Sequence, residues 1–363
     1  MSIGLRVAGI AVCRRSMLLA PLFFLAVGFL PAQETQEKVD VDNVSRNYTV
    51  HLPKGYDAQQ HYPVVILFHG RTQDAEDIER ITHFNQLADK NGIIAIYPSA
   101  AQGQWNIGVR SEQPSSGMQR RGFGRRGGWG GYPGGGGGGG GYPGGGQGGG
   151  QNGEGSERRN RSEPPDDVAF LNQMLDQLPM KYSVDAHRVY AAGLGDGGFM
   201  ALRVGCSLAD RVAAVAAVGA NYPKTMICLP SRPIAAIFID GTDDPLVPYN
   251  GGTYKARRFP VLSAEDSTKT WAKFDRCGEK PAQDKIAPLQ KGGKETKTYT
   301  YNGCQGDAQV VLYSVKDGGN TWPGGESFTT EKEVGKTSQA ISANDVIWNF
   351  LGKQKLSGEN ENK

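Results

Sequence analysis

The segment Arg188-Val189-Tyr190-Ala191-Ala192 runs apolar into Gly193-Leu194-Gly195-Asp196-Gly197-Gly198, and the helix-like Phe199-Met200-Ala201-Leu202-Arg203 follows. So much glycine between a strand pattern and a helix pattern constrains the chain strongly, because such a turn is sharp, strained and open only to small residues. Written Gly-x-Ser-x-Gly, this arrangement lifts a reactive serine above a strand end. Here the central position is Gly195: the scaffold of the turn is present and the hydroxyl is not.

The remaining pattern alternates strand and helix. Tyr48 to Leu52 alternates as an edge strand should, while Val64 to Phe68, Ile93 to Tyr97, Val189 to Ala192, Val212 to Val218 and Ile234 to Ile239 are short apolar runs. Such runs fit strands buried on both faces of a parallel sheet. Helix patterns cover Asp74 to Lys90, Asp166 to Leu178 with Asp166 or Asp167 as N-cap, Gly198 to Leu208, Glu265 to Asp275 and Ala343 to Leu351. The alternation predicts an α/β domain with a mostly parallel sheet and helices on both faces.

That domain is expected to occupy residues 33–117 and 162–353 of the 363. From Gly122 to Gly155 the chain is about two-thirds glycine, with Gly-Tyr-Pro-Gly twice and arginine pairs nearby. Such a stretch cannot bury enough apolar surface to offset its ordering entropy, so 118–161 reads as a disordered loop insertion and 354–363 as a frayed polar tail. Residues 1–32 read as a secretory signal: Arg14-Arg15 precede the apolar Met17 to Leu30, and Pro31-Ala32-Gln33 offers a cleavage site. The alternative is an uncleaved anchor, although about fourteen apolar residues is short for a span. No membrane span is expected once the signal is removed, and export is the expectation.

Cysteine usage agrees with export. Cys13 lies in the signal, leaving Cys206, Cys228, Cys277 and Cys304. Four cysteines allow three connectivities; sequential pairing is expected, with free thiols as the alternative. No Cys-x-x-Cys pair or His/Cys cluster suggests a metal, and no cofactor is expected. A net charge of +3 gives no field that points to nucleic acid. The arginine–glycine–aromatic insertion is the kind of segment that contacts RNA, but in an exported chain it reads as a solvated loop near a site rim, or as a contact for an acidic polymer.

In sheets of this class, functional groups gather at the carboxyl ends of strands. Besides the glycine turn, three strand ends are informative: His69-Gly70-Arg71 after Phe68, Gly241-Thr242-Asp243-Asp244-Pro245 after Ile239-Asp240, and Lys316-Asp317-Gly318-Gly319-Asn320-Thr321-Trp322-Pro323-Gly324-Gly325 after Val315. With Trp105, Asp166-Asp167-Val168, Asp185 through Tyr190, the cysteines and Trp271 in the same order, the chain resembles the secreted poly(3-hydroxybutyrate) depolymerase and feruloyl esterase-like group of α/β-hydrolases. The resemblance covers nearly all of the chain apart from the signal and the insertion.

The resemblance implies a Ser–Asp–His triad with a backbone oxyanion hole, acting on polyester or feruloyl esters. Carried over position by position, the nucleophile position holds Gly195, the acid position Asp244 (with Asp243 as the alternative acid), and the base position Asn320. The oxyanion donors fall on the N–H groups of Arg71 and Asp196, and His69, Trp105 and Trp322 become candidate binding residues. Asp196 as a displaced nucleophile and His69 as a substitute base remain alternatives. In serine proteases, loss of nucleophile or base removes roughly six orders of magnitude in turnover, while oxyanion hole and binding leave about 10³–10⁴ over water.

Three functions follow as expectations. The first is an exported binding protein for an ester, an acylated polymer or a partner, with catalysis lost. The second is an active carboxylic-ester hydrolase with an unconventional site. The third is a structural envelope protein that carries the glycine-rich arm.

Overall fold

The computed structural model of the chain describes residues 33–109, 165–291 and 293–356, together with Met1, Ser2 and Gly4. Apart from those three residues the expected signal, and all of the expected glycine-rich insertion, lie outside the described residues. The first half carries β1 (Gln33–Val41), β2 (Val44–Leu52), β3 (Tyr62–Phe68), α1 (Ala75–Thr82), α2 (Phe84–Asn91), β4 (Ile94–Pro98), α3 (Asp167–Lys181) and β5 (Val184–Leu194). The second half carries α4 (Asp196–Ser207), β6 (Ala214–Val218), β7 (Ala235–Gly241), β8 (Gly252–Tyr254), β9 (Phe259–Val261) and α5 (Ala264–Phe274). It closes with β10 (Ala282–Ile286), β11 (Thr296–Tyr301), β12 (Val310–Val315), α6 (Glu331–Val334) and α7 (Ala343–Leu351).

Ten strands form one sheet in the order β1-β2-β4-β3-β5-β6-β7-β12-β11-β10. The six from β4 to β12 run parallel, and the flanking strands are antiparallel. This is the α/β-hydrolase fold. The parallel strands were readable because both their faces are covered: every residue of Val64–Phe68 is buried. One face packs on Phe170, Phe199 and Trp271 of α3, α4 and α5; the other packs on Ile78, Phe84 and Ile347 of α1, α2 and α7.

Three expectations change. Tyr48–Leu52 is not an edge, because β1 pairs outside it through a two-residue turn, Asp42-Asn43, with φ of 50° and 64°. That left-handed pair matches the twist of a hairpin, and β1 escaped notice because only Val39 and Val41 in it are buried. The helix expected over 74–90 is two: the Thr82 hydroxyl bonds back to the Ile78 carbonyl, and His83 turns left-handed at φ 51°. The tail expected to fray from 354 is held at its start, since Leu356 N–H donates to the His187 carbonyl and the Tyr190 hydroxyl to the Gln354 carbonyl.

Local anchors hold the frame. Cys206–Cys228 ties the end of α4 to the segment before β7, and Cys277–Cys304 ties the end of α5 to the turn after β11. Arg46 on β2 reaches Asp167 at 2.6 Å, a buried ion pair at the start of α3, and Asp166 caps that helix by accepting from Val168 and Ala169 N–H. Asp167 also accepts from Asn106 N–H at 2.6 Å, and the Asn106 amide donates to the Pro165 carbonyl. The chain before residue 110 is thereby pinned to the chain after 164. Among the described residues no helix is long and apolar enough to cross a membrane.

Candidate functional site

The glycine turn joins β5 directly to α4. Gly195 stands at the junction with φ 56° and ψ −117°, a conformation costly for any residue with a side chain. Its N–H donates to the Val218 carbonyl, which fixes the tip against β6. Gly197 answers to a different constraint: a Cβ there would lie 2.0 Å from the Phe68 carbonyl oxygen, so α4 can approach the end of β3 only without one. Asp196 is the first helical residue, which sets the tip of the turn at Gly195 and not at Asp196.

Two further strand ends converge on this tip. In the turn after β7, Asp244 Oδ1 accepts from the N–H groups of Leu246 and Val247 at 2.7 and 2.8 Å. Its Oδ2 accepts from Asn320 Nδ2 at 2.7 Å, and the same nitrogen donates to the Gly219 carbonyl at 2.9 Å. The Asn320 carbonyl oxygen faces Gly195: a Cβ built on Gly195 would stand 3.1 Å from it. Gly195, Asn320 and Asp244 thus form a line from tip to amide to carboxylate. Burial pushes the Asp244 carboxyl up to about 6, with the Asn320 and backbone donors pulling it back. Asp243 is exposed and meets only the neighbouring Thr242 hydroxyl, so it stands outside this line.

A carboxyl that the sequence reading passed over lies behind Asp244. Asp240, at the end of β7, is 3% exposed and accepts from Ala220 N–H at 3.2 Å, while its Oδ2 has no partner. Burial, and then the Asp244 charge, push it up to about 8. The signal available was an aspartate closing an otherwise apolar run.

Asp196 and His69 are both engaged elsewhere. The Asp196 carboxyl is fully buried, accepts from the Tyr254 hydroxyl at 2.7 Å and has the Arg257 guanidinium 3.5 Å from its other oxygen. Burial raises it above the usual carboxylate range, with Arg257 opposing. His69 uses both ring nitrogens: Nδ1 meets the Gly70 carbonyl at 2.8 Å, and Nε2 accepts from Ala100 N–H at 3.1 Å. Since Nε2 faces a donor and Nδ1 an acceptor, the ring is the neutral Nδ1-protonated form, and burial lowers its basicity accordingly. The other described histidines are occupied away from the tip or on the surface: His51 with Asp89, His83 with Glu326, His187 beside Leu356, and His61 exposed.

The tip borders a cavity of about 210 Å³ whose wall includes Arg71, Leu246, Tyr254, Asn320 and Phe328. Gln73 shapes its rim by accepting from Gly70 N–H at 2.8 Å. The N–H groups of Arg71 and Asp196 both belong to wall residues, and neither has an acceptor among the described residues. His69, Trp105 and Trp322, read above as binding residues, are not on this wall. Trp105 is 1% exposed and donates to the His69 carbonyl; Trp322 is fully buried and donates to Asn344. All three are packing residues that hold the strand ends. Two larger grooves of about 550 Å³ lie apart from the tip, one lined by Glu34, Glu76 and Glu79 and the other by Lys294, Lys297 and Lys316. Among the described residues there is no cluster suited to a metal ion.

No protein-family model matches the chain. Its curated relatives carry esterase names. "Putative esterase NocK" of Nocardia uniformis subsp. tsuyamanensis is 26% identical over 331 residues, covering 88% of this chain and 83% of the relative. Feruloyl esterase B of Piromyces equi is 32% identical over 162 residues, 43% of this chain and 29% of that protein. Feruloyl esterase D of Neurospora crassa is 23% identical over 318 residues, 86% and 84% of the two chains. Among solved structures, an acetyl xylan esterase from Aspergillus awamori aligns over 88% of this chain and 99% of its own with a TM-score of 0.49 and 13% identity.

Proposed function

We propose that the protein is an esterase-like protein that binds acyl ligands at the Gly195 cavity without serine-hydrolase turnover. The observation that carries the reading is the Gly195–Asn320–Asp244 line, in which the partner of the carboxylate is an amide and the tip has no hydroxyl. Acyl transfer through an enzyme ester needs a nucleophile and a base that takes its proton; an amide nitrogen that already donates to two acceptors offers no such base. The oxyanion role of the Arg71 and Asp196 N–H groups requires no side chain and is compatible with the loss. The names of the relatives favour a hydroxycinnamoyl group over polyhydroxyalkanoate as the acyl part of the ligand. Export is supported by the two disulfides, since such bonds persist in oxidising compartments. Residues 118–161 read as an insertion in one domain, because the chain is pinned together on either side of them.

The test is nitrophenolate release from a short-chain nitrophenyl ester by the natural protein beside an Asp196→Asn variant. The expected result is no enzymatic release from either. Turnover by the natural protein that Asp196→Asn abolishes would establish the active-esterase reading in its place.

A further inference from the structure

The geometry points to a cavity built for a primary or N-monosubstituted amide rather than for an ester, an inference that rests on the binding reading above. The orientation of Asn320 is fixed by chemistry. Its Nδ2 lies 2.9 Å from the Gly219 carbonyl and 2.7 Å from Asp244 Oδ2. A backbone carbonyl can only accept, so the amide nitrogen must face that way whatever the protonation of Asp244, and Oδ1 must face the tip. Asn320 is 4% exposed and borders the cavity, and no described donor reaches its Oδ1. The cavity therefore presents the unpartnered Oδ1 of Asn320 beside the two free donors of Arg71 and Asp196.

A ligand that satisfies this wall needs a carbonyl oxygen for the N–H groups and an N–H for Asn320 Oδ1. An amide carries both. An ester has the carbonyl but no hydrogen to donate, and it leaves Oδ1 buried without a partner. A carboxylate is worse placed, because one of its oxygens would face Asn320 Oδ1, acceptor against acceptor. The absence of a side chain at Gly195 matters here, since a Cβ at that position would crowd Oδ1 at 3.1 Å. The flanking wall of Leu194, Leu246, Ala256 and Phe328 suits an apolar acyl part.

The experiment is calorimetric titration of the purified protein at pH 8 with four compounds of one acyl group: cinnamamide, N,N-dimethylcinnamamide, methyl cinnamate and cinnamate. Sites built around a hydrogen-bonding group discriminate sharply against analogues that lack it. Cinnamamide is expected to bind about tenfold or more tighter than each of the other three, and Gly195→Ala to erase that preference. Binding of methyl cinnamate, the dimethyl amide or cinnamate as tight as that of cinnamamide overturns the amide inference and leaves the pocket reading standing. If none of the four binds at millimolar concentration, the pocket reading itself falls.

Discussion

Asn320 donates from one amide nitrogen to both Asp244 and the Gly219 carbonyl, and this doubles its role. It satisfies a carboxylate sunk behind the surface, and it closes the space above Gly195 with an acceptor. A Cβ on Gly219 would lie 2.6 Å from that nitrogen, so the glycine is what lets the amide sit so deep.

Replacing Asn320 with leucine keeps the volume and removes the donor. Asp244 then loses its one side-chain partner, and its carboxyl moves up from about 6. The cost appears where the carboxyl must be charged: about 2–3 kcal/mol at pH 8 and about 1 kcal/mol at pH 5, because a hydrogen bond to a charged group is worth more than one to a neutral group. Urea unfolding at the two pH values measures it; equal losses at both would refute the assignment.

Asp240 gives the stability of the fold a pH slope. In the unfolded chain its carboxyl titrates near ~4, whereas in the fold it holds its proton to about 8. The folded state therefore binds the extra proton across that window, so stability falls as pH rises from ~4 to ~8 and is flat outside it. Asp244 and Asp275, raised to about 6 and about 7, slope the same way over narrower windows. Asp240→Asn is expected to flatten the curve and to gain ~1–3 kcal/mol on the natural protein at pH 8 relative to pH 5. Thermal unfolding across pH 4–9 reads this directly, and an unchanged slope contradicts it.

Gly197 tests the packing of the turn. The Cβ of an alanine there meets the Phe68 backbone carbonyl oxygen at 2.0 Å, with nothing flexible to yield. The expected loss is ~3 kcal/mol or failure to fold. Gly303→Ala, at φ 68° with open space around it, should cost only ~1 kcal/mol. A comparable melting temperature for the two variants would mean that α4 does not rest on the end of β3.

Much of this architecture was legible in the chain. A strand covered on both faces has to be apolar throughout, as Val64–Phe68 is, and a turn pressed between strand and helix has to be glycine. What could not be read were the elements that bury little. β10, Ala-Gln-Asp-Lys-Ile, is exposed along most of its length and leaves no hydrophobic trace. Side-chain partners distant in sequence were equally hidden: Tyr254 and Arg257 reach Asp196 across some sixty residues, and nothing in Asp196 itself announces them. Trp105 and Trp322 lie off the cavity wall for a related reason. An aromatic near a strand end can wall a pocket or wedge the frame, and only the fold decides which.

On the proposed reading the turn, the carboxylate and the backbone donors of an esterase remain, while a hydroxyl at position 195 and an imidazole at position 320 are absent. The most direct measurement is nitrophenyl ester hydrolysis by the natural protein and by the Gly195→Ser/Asn320→His double variant, each checked for folding. Background rates are expected for the natural protein and a gain of several orders of magnitude for the double variant, on the scale of ~10⁶ between intact and broken triads. Hydrolysis by the natural protein at the rate of the double variant would contradict that reading.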